Sequence, residues 1–245
     1  MKGKQPNSLR VLTWNIHACV GSDGRYDPDR ILALIRKHDP DIIALQEMDS
    51  RGRSLEIPLL DFFKQALGEH SAEARTIAAP DGHYGHAIIS RYPLRDVRLH
   101  DLTSFAREER FAIETNVAHD RGILHLVSTH LGLNMFERRR QARLLAELAS
   151  KQADVSVMLG DFNDWFQDGV IRRTLAGIMP DRSRHKTFPA CYPLFSLDRI
   201  YCRPNGRLLD SWTDTDAKFA SDHLPVIADI SIAANNRQDF SGDIA

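Results

Sequence analysis

The chain has almost no net charge: 32 lysines and arginines stand against 33 aspartates and glutamates in 245 residues. That balance excludes the global positive field behind strong non-specific nucleic-acid binding and leaves room only for a local basic patch. Cysteine is scarce. Cys19, Cys191 and Cys202 form an odd set without CxxC or other zinc spacing, which argues against a disulfide framework and suits reduced thiols in a cytosolic compartment. No apolar run approaches a membrane span, and the lysines of MKGKQPNSLR are not followed by a signal-peptide core, so a soluble cytoplasmic protein is expected. Internal repeats, low-complexity blocks and linkers are also missing. With 42% hydrophobic residues to build a core, the expectation is one domain over 1–245, its core at about 9–233 and its ends, including the tail NNRQDFSGDIA, frayed.

What is present alternates between two periodicities. LRVLTWNIH reads as a strand and YDPDRILALIRKHDPD as a helix, with Asp27 as its cap, Pro28 in the first turn, an apolar face of Ile31, Leu34 and Ile35, and a stop at Asp39-Pro40. DIIALQE is a short buried strand and LLDFFKQAL a second helix. ARTIAAP, GHAIISRYP, DVRLHDL, RFAIETNVA and GILHLVSTHL then follow as punctuated, largely antiparallel strands. In the helix NMFERRRQARLLAELASKQ, Asn134 and Glu137 stand at capping-box spacing. VSVMLGDFN, a short helix near GVIRRTLAGI, and the strands SLDRIYC, GRLLDSWT and DHLPVIADISI complete the chain. This is too many strands for one covered sheet, so the expected class is α/β or α+β with two packed sheets and helices outside.

Apolar strands repeatedly meet polar residues at their ends: Asn15, Glu47, His130, Asp161 with Asn163, Asp198, and Asp222-His223. Each alone has an ordinary explanation as a cap, a solvated carboxylate or a satisfied core histidine. Their recurrence at the edges of strands that share one core points instead to a common site. Glu47 with the amide oxygen of Asn15 offers hard donors suited to Mg²⁺. Asp161 could orient or deprotonate a water, and Asn163 could hold that water or a phosphoryl oxygen. His223 could donate to a non-bridging oxygen while Asp198 fixes its tautomer. Phosphoryl transfer to water suits such a set, because positioning and charge neutralisation supply most of its catalysis.

In order, TWNIH, LQEMD, GHAIISRYPL, STHLG, GDFND, SLDRIY and SDHLPV resemble the motifs of the endonuclease/exonuclease/phosphatase superfamily, the DNase I-like fold, from Thr13 to Val226. The resemblance implies a four-layer α-β-β-α sandwich of two mixed sheets, with the site in a cleft along one rim. Carried over by motif, it makes Glu47 the main metal ligand, Asn15 its neighbour near metal or phosphate, and Asp222 an aid in placing a metal. Asp161 would activate the nucleophilic water and Asn163 orient it or the phosphate. His130 and His223 would contact phosphate oxygens, with Asp198 supporting His223. The implied cofactor is Mg²⁺, with Mn²⁺ as a substitute, and the implied activity is divalent-metal-dependent phosphodiester hydrolysis. Two departures stand out. His17 occupies a position where AP-endonuclease-like members carry Asp, and GHA replaces the Gly-Asn-Ala of many bacterial relatives, so His86 is left outside the catalytic set.

Fold alone does not choose the substrate, and a DNA or RNA endo- or exonuclease and a phospholipid-headgroup phosphodiesterase both stay open. A non-enzymatic binding module is disfavoured because every principal motif position is filled, and no protein partner is expected. The run Arg138, Arg139, Arg140 and Arg143 reads as a solvated helix face balanced by Glu137 and Glu147, and Arg91 as a surface ion pair. Phe188 and Tyr192 are expected in core packing, Trp165 and Phe166 as anchors of the next helix, and Asp164 as a cap for the following turn.

Overall fold

A computed structural model describes residues 3–53, 56–104, 107–166 and 168–232; the polar tail from Asn235 lies outside them. Its elements run β1 (Ser8–Asn15), α1 (Pro28–His38), β2 (Ile42–Asp49), α2 (Leu59–Leu67), β3 (His70–Ala79), β4 (Gly82–Ser90), β5 (Leu94–Asp101) and β6 (Phe111–His119). The second half runs β7 (Gly122–His130), α3 (Met135–Ala149), β8 (Val155–Asp161), α4 (Val170–Leu175), β9 (Asp181–Arg182), β10 (Asp198–Arg203), β11 (Leu208–Thr213) and β12 (Val226–Ser231). Among the described residues there are two six-stranded sheets, ordered β11-β12-β1-β2-β4-β3 and β5-β6-β7-β8-β10-β9. Each is mixed: β1 runs parallel to β2, and β7 parallel to β8, while their other pairings are antiparallel.

Period-two patterning explains why the sheets stack. Along β1, Leu9 and Val11 enter a central core shared with Leu126, Val157, Leu159 and Ile200 of the other sheet, whereas Leu12 and Trp14 face outward against Ile31, Ile35 and Phe63 of α1 and α2. On the second sheet, Val127, Met158 and Tyr201 meet Ala142, Leu145, Ile171 and Leu175 of α3 and α4. The four-layer sandwich expected from the sequence is therefore what forms.

Local signals held at the helix ends. Asp27 accepts from the Arg30 amide at 2.9 Å, and Asp39 closes α1 in the left-handed conformation. The capping box on α3 is only half made. Asn134 accepts from the Phe136 amide at 2.8 Å, but Glu137 is buried and receives the Gln141 side chain at 3.2 Å. Arg138 is buried too, donating to the carbonyls of Gly132 and Leu133. The arginine run is thus not one solvated face: a 100° step per residue turns Arg138 inward while Arg139, Arg140 and Arg143 stay exposed. Arg91 pairs with Asp39 and Asp41.

Candidate active site

The inward-facing row of each central strand stays apolar until the rim and then turns polar. Leu9-Val11-Thr13 ends in Asn15, Leu124-Leu126-Ser128 in His130, and Val155-Val157-Leu159 in Asp161, all within their strands. Register aligns them. His130 and Asp198 sit opposite Asp161 on the strands either side of β8. Gly160 makes this alignment possible: its φ is +146°, and an added Cβ would lie 1.9 Å from the Thr129 carbonyl oxygen.

Glu47 reaches the rim by an irregularity. Strict alternation from Leu45 would send it outward to the helices, but the β2–β4 register shifts between Leu45 and Met48, and Glu47 has φ of 55°. This bulge places Gln46 and Glu47 on the inner side together and returns Met48 to the outer core. The loop before β12 is tied down separately. The buried Trp14 indole donates to the His223 carbonyl at 2.8 Å, and Ser221 Oγ donates to the Asn15 carbonyl at 2.7 Å. Burying such a ring is worth on the order of 3 kcal/mol, so a core residue also fixes the site loop.

The Asn15 amide nitrogen bridges Glu47 Oε1 at 2.9 Å and Asp161 Oδ2 at 3.1 Å. Its oxygen, expected to face a metal, instead accepts from the His17 amide at 3.1 Å. Asp161 Oδ1 accepts from the Asn163 amide at 2.9 Å, and Asn163 Nδ2 donates to the Leu131 carbonyl at 2.8 Å. The Nε2 atoms of His130 and His223 stand 3.7 and 3.9 Å from Asp161 Oδ2. Burial, together with the nearby Asp198 carboxylate, pushes Asp161 up to about 6.

The two histidines have opposite electrostatics. Burial alone would lower His223, but the carboxylates of Asp198 and Asp161 outweigh it and raise the imidazole to about 10. Its Nδ1 lies 2.7 Å from Asp198 Oδ2. His130 is driven well below its ordinary value by burial and by the Arg110 guanidinium. Arg110 can only donate, so the 3.2 Å contact from its Nη1 makes His130 Nδ1 the acceptor and Nε2 the protonated nitrogen facing Asp161.

Oxygen donors dominate the cluster, which fits a hard divalent cation. Glu47 is the accessible carboxylate, its side chain 26% exposed, and the buried Oδ1 of Asp198 has no hydrogen-bond partner. Asp161, Asp198 and His223 also converge closely enough to suggest a metal cage. Within that triad the Asp198 carboxylate and the His223 ring are paired with each other through the short Nδ1 contact, which leaves Asp161 Oδ2 facing His223 Nε2. Asp222 is half-exposed at the edge, 4.0 Å from His17.

Arg110 was missed from sequence. It follows no recognisable spacing, and only the β6–β7 pairing brings it to His130. His86 is buried beside this group, lowered to about 4 by burial and Arg110, with its Nε2 unpartnered. Phe188 is not core but packs at 4.9 Å on the His223 ring, with Trp165 behind it at 5.5 Å. Trp165 therefore braces the site wall, and Tyr192 and Phe166 are exposed. Asp164 does cap, reaching across to the Arg172 amide in the first turn of α4 at 3.2 Å. The thiols of Cys19 and Cys202 are buried, and burial raises both.

A family model described as "Endonuclease/Exonuclease/phosphatase family" matches residues 12–223. An Escherichia coli protein, "Uncharacterized protein YbhP", is 29% identical over 255 aligned residues, covering 93% of this chain and 98% of that one. Among solved structures, an endonuclease/exonuclease/phosphatase from Beutenbergia cavernae superposes with a TM-score of 0.74 at 21% identity, covering 93% of this chain and 72% of the other. D. rerio TDP2, complexed with a single-strand DNA product, superposes with a TM-score of 0.63 at 14% identity, covering 91% and 98%. These structural likenesses concern the fold.

Proposed function

Because the chain belongs to the endonuclease/exonuclease/phosphatase family, we propose that it is a divalent-metal-dependent phosphoesterase that hydrolyses a phosphodiester with an activated water. The observation that carries this reading is the convergence of Asn15, His130 and His223 on the buried carboxylate of Asp161.

Glu47 would hold the cation, with Asp222 at the outer edge and Asn15 holding Glu47 and Asp161 in place through its amide nitrogen. Bound there, Mg²⁺ or Mn²⁺ would neutralise charge developing on the phosphoryl oxygens. Asp161 takes the proton from the attacking water, its raised proton affinity suiting a base. Asn163 is locked by its bonds to Asp161 and Leu131 and orients that water. His223, kept cationic by Asp198, donates from Nε2 to a non-bridging oxygen. His130 donates as a neutral ring, which adds a hydrogen bond without a second positive charge.

Hydrolysis of bis(p-nitrophenyl) phosphate that needs Mg²⁺, stops with EDTA and is lost in Asp161→Ala is the expected result. Activity should fall as pH drops through about 6 or somewhat lower, since a protonated Asp161 cannot accept, and a bound cation shifts that limb downward. Equal inactivity of the wild type and Asp161→Ala across a broad phosphoester panel would defeat the enzyme reading.

A second reading has its own support. The segments leaving the site strands expose Leu133, Met135, Phe136 and Phe166, an apolar rim that favours a phospholipid-headgroup substrate over nucleic acid. Supercoiled plasmid, a phosphatidyl substrate and a phosphomonoester run side by side separate these classes. No helix among the described residues is long and apolar enough to cross a membrane.

A further inference from the structure

Asp198 and Arg199 are neighbours in β10 but project to opposite faces of the sheet. Asp198 points to the candidate active site. Arg199 points the other way, into a pocket of about 250 Å³ against α4 that Arg172, Arg182, Arg184, Lys186 and Ser196 also line. Register explains the gathering: Arg182 of β9 lies opposite Tyr201 of β10, whose ring belongs to the helix-facing core, so Arg182 shares that outer face.

The pocket carries five cations, and the described carboxylates paired with them are two: Asp164, 3.6 Å from Arg199, and Asp168, which contacts Arg172. Asp168 is largely exposed, and Asp164 is already engaged with the Arg172 amide. Arg172 Nε is buried without a partner. Burial and the neighbouring Arg172, Arg184 and Arg199 guanidiniums lower the proton affinity of Arg182, the signature of like charges held together. Arginines clustered around a cavity are suited to bidentate hydrogen bonding of tetrahedral oxyanions, and the surplus charge favours a dianion over a single carboxylate.

We propose that this pocket is a second anion site, separate from the hydrolytic centre, that binds a phosphate group. It stands independently of the hydrolytic reading. Lys186 borders Thr187, whose hydroxyl accepts from the Asp198 amide at 3.3 Å, and Phe188 beyond it packs on His223. The pocket is therefore the reverse side of the loop that walls the candidate active site.

The test is a titration of inorganic phosphate into the metal-free full chain labelled with ¹⁵N-arginine, following the arginine Nε–H resonances. Saturable shifts of the Arg172, Arg182 and Arg199 signals are expected, absent with chloride at matched ionic strength. Arg184 and Lys186 are exposed and outside the proposed catalytic set, so the double variant Arg184→Ser/Lys186→Ser should keep its fold. Its apparent Kd for phosphate should rise at least tenfold, while hydrolysis of bis(p-nitrophenyl) phosphate matches wild type. Shifts that fail to saturate, that chloride reproduces, or that the double variant leaves unchanged would overturn the proposal. A 5′-phosphorylated oligonucleotide binding more tightly than phosphate would identify a phosphate carried on a larger ligand, and the reverse order the free ion; either order supports the site.

Discussion

Arg110 donates from Nη1 to Nδ1 of His130 across 3.2 Å, within a region where both residues are buried. That contact adds to burial in keeping His130 neutral, whereas His223 presents the same ring nitrogen to a carboxylate. A cation and a neutral donor on either side of Asp161 give the site one positive charge where two would repel each other.

Replacing Arg110 with Gln should raise the His130 imidazole only part of the way toward its ordinary value, because burial, the larger cause, remains, whereas Lys should keep it low. Histidine NMR titration reads this directly. Activity should fall roughly tenfold to a hundredfold in the Gln variant, as for other partners that orient a functional histidine. A His130 titration identical in wild type and Arg110→Gln would show that the guanidinium does not set its charge.

Asp198→Asn removes the charge that holds His223 protonated. The folded value of about 10 lies above the ordinary 6.5, so the pairing stabilises the wild type fully below pH 6.5 and fades as pH rises through about 10. In the variant the imidazolium should titrate near neutrality. The rate at pH 8 should drop by about 10²–10³, with a smaller deficit relative to wild type at pH 6. Unchanged alkaline behaviour would count against the imidazolium role.

A separate cluster tests stability without touching the site. Glu114 accepts from His100 Nε2 at 2.7 Å, His125 Nε2 at 2.9 Å and Lys151 Nζ at 2.7 Å. Burial opposes its ionisation, yet these three donors hold its carboxyl down at about 2. Glu114→Gln should cost about 2 kcal/mol at pH 7, less than a fully enclosed pair because the Lys151 side chain is 40% exposed. The depressed carboxyl contributes fully above pH 4.5 and loses its contribution as pH falls through about 2. Urea denaturation should therefore show the two proteins converging in acid.

Gly160→Ala forces a Cβ against the Thr129 carbonyl and strains a backbone at φ +146°. About 3 kcal/mol or more of stability should be lost. Activity of the remaining folded protein should fall as well, because the next residue is Asp161. A thermal midpoint within a degree of wild type would refute this reading of the β7–β8 contact.

Much of the arrangement was legible along the chain. Strand alternation in LRVLTWN and VSVMLGD marks both the core face and the point where it turns polar, because side chains on a strand alternate strictly. Asp27-Pro28 announced α1 through the backbone chemistry of a helix start. Glu47 was identifiable as a site residue, but the bulge that turns it inward was not, since a register shift depends on the partner strand. Phe188 looked like core because a loop aromatic carries no sign of which ring it will meet.

The sequence by itself therefore determined the elements, their buried faces and the polar ends that make the candidate site, all consequences of local periodicity and residue chemistry. The tertiary structure alone decided the pairings between distant segments: Arg110 with His130, Trp14 with the His223 backbone, and five cations from α4, β9, β10 and the loop between these strands around one pocket. Those depend on strand order and register across the sheets, and no local pattern of residues encodes which positions a neighbouring strand will bring alongside.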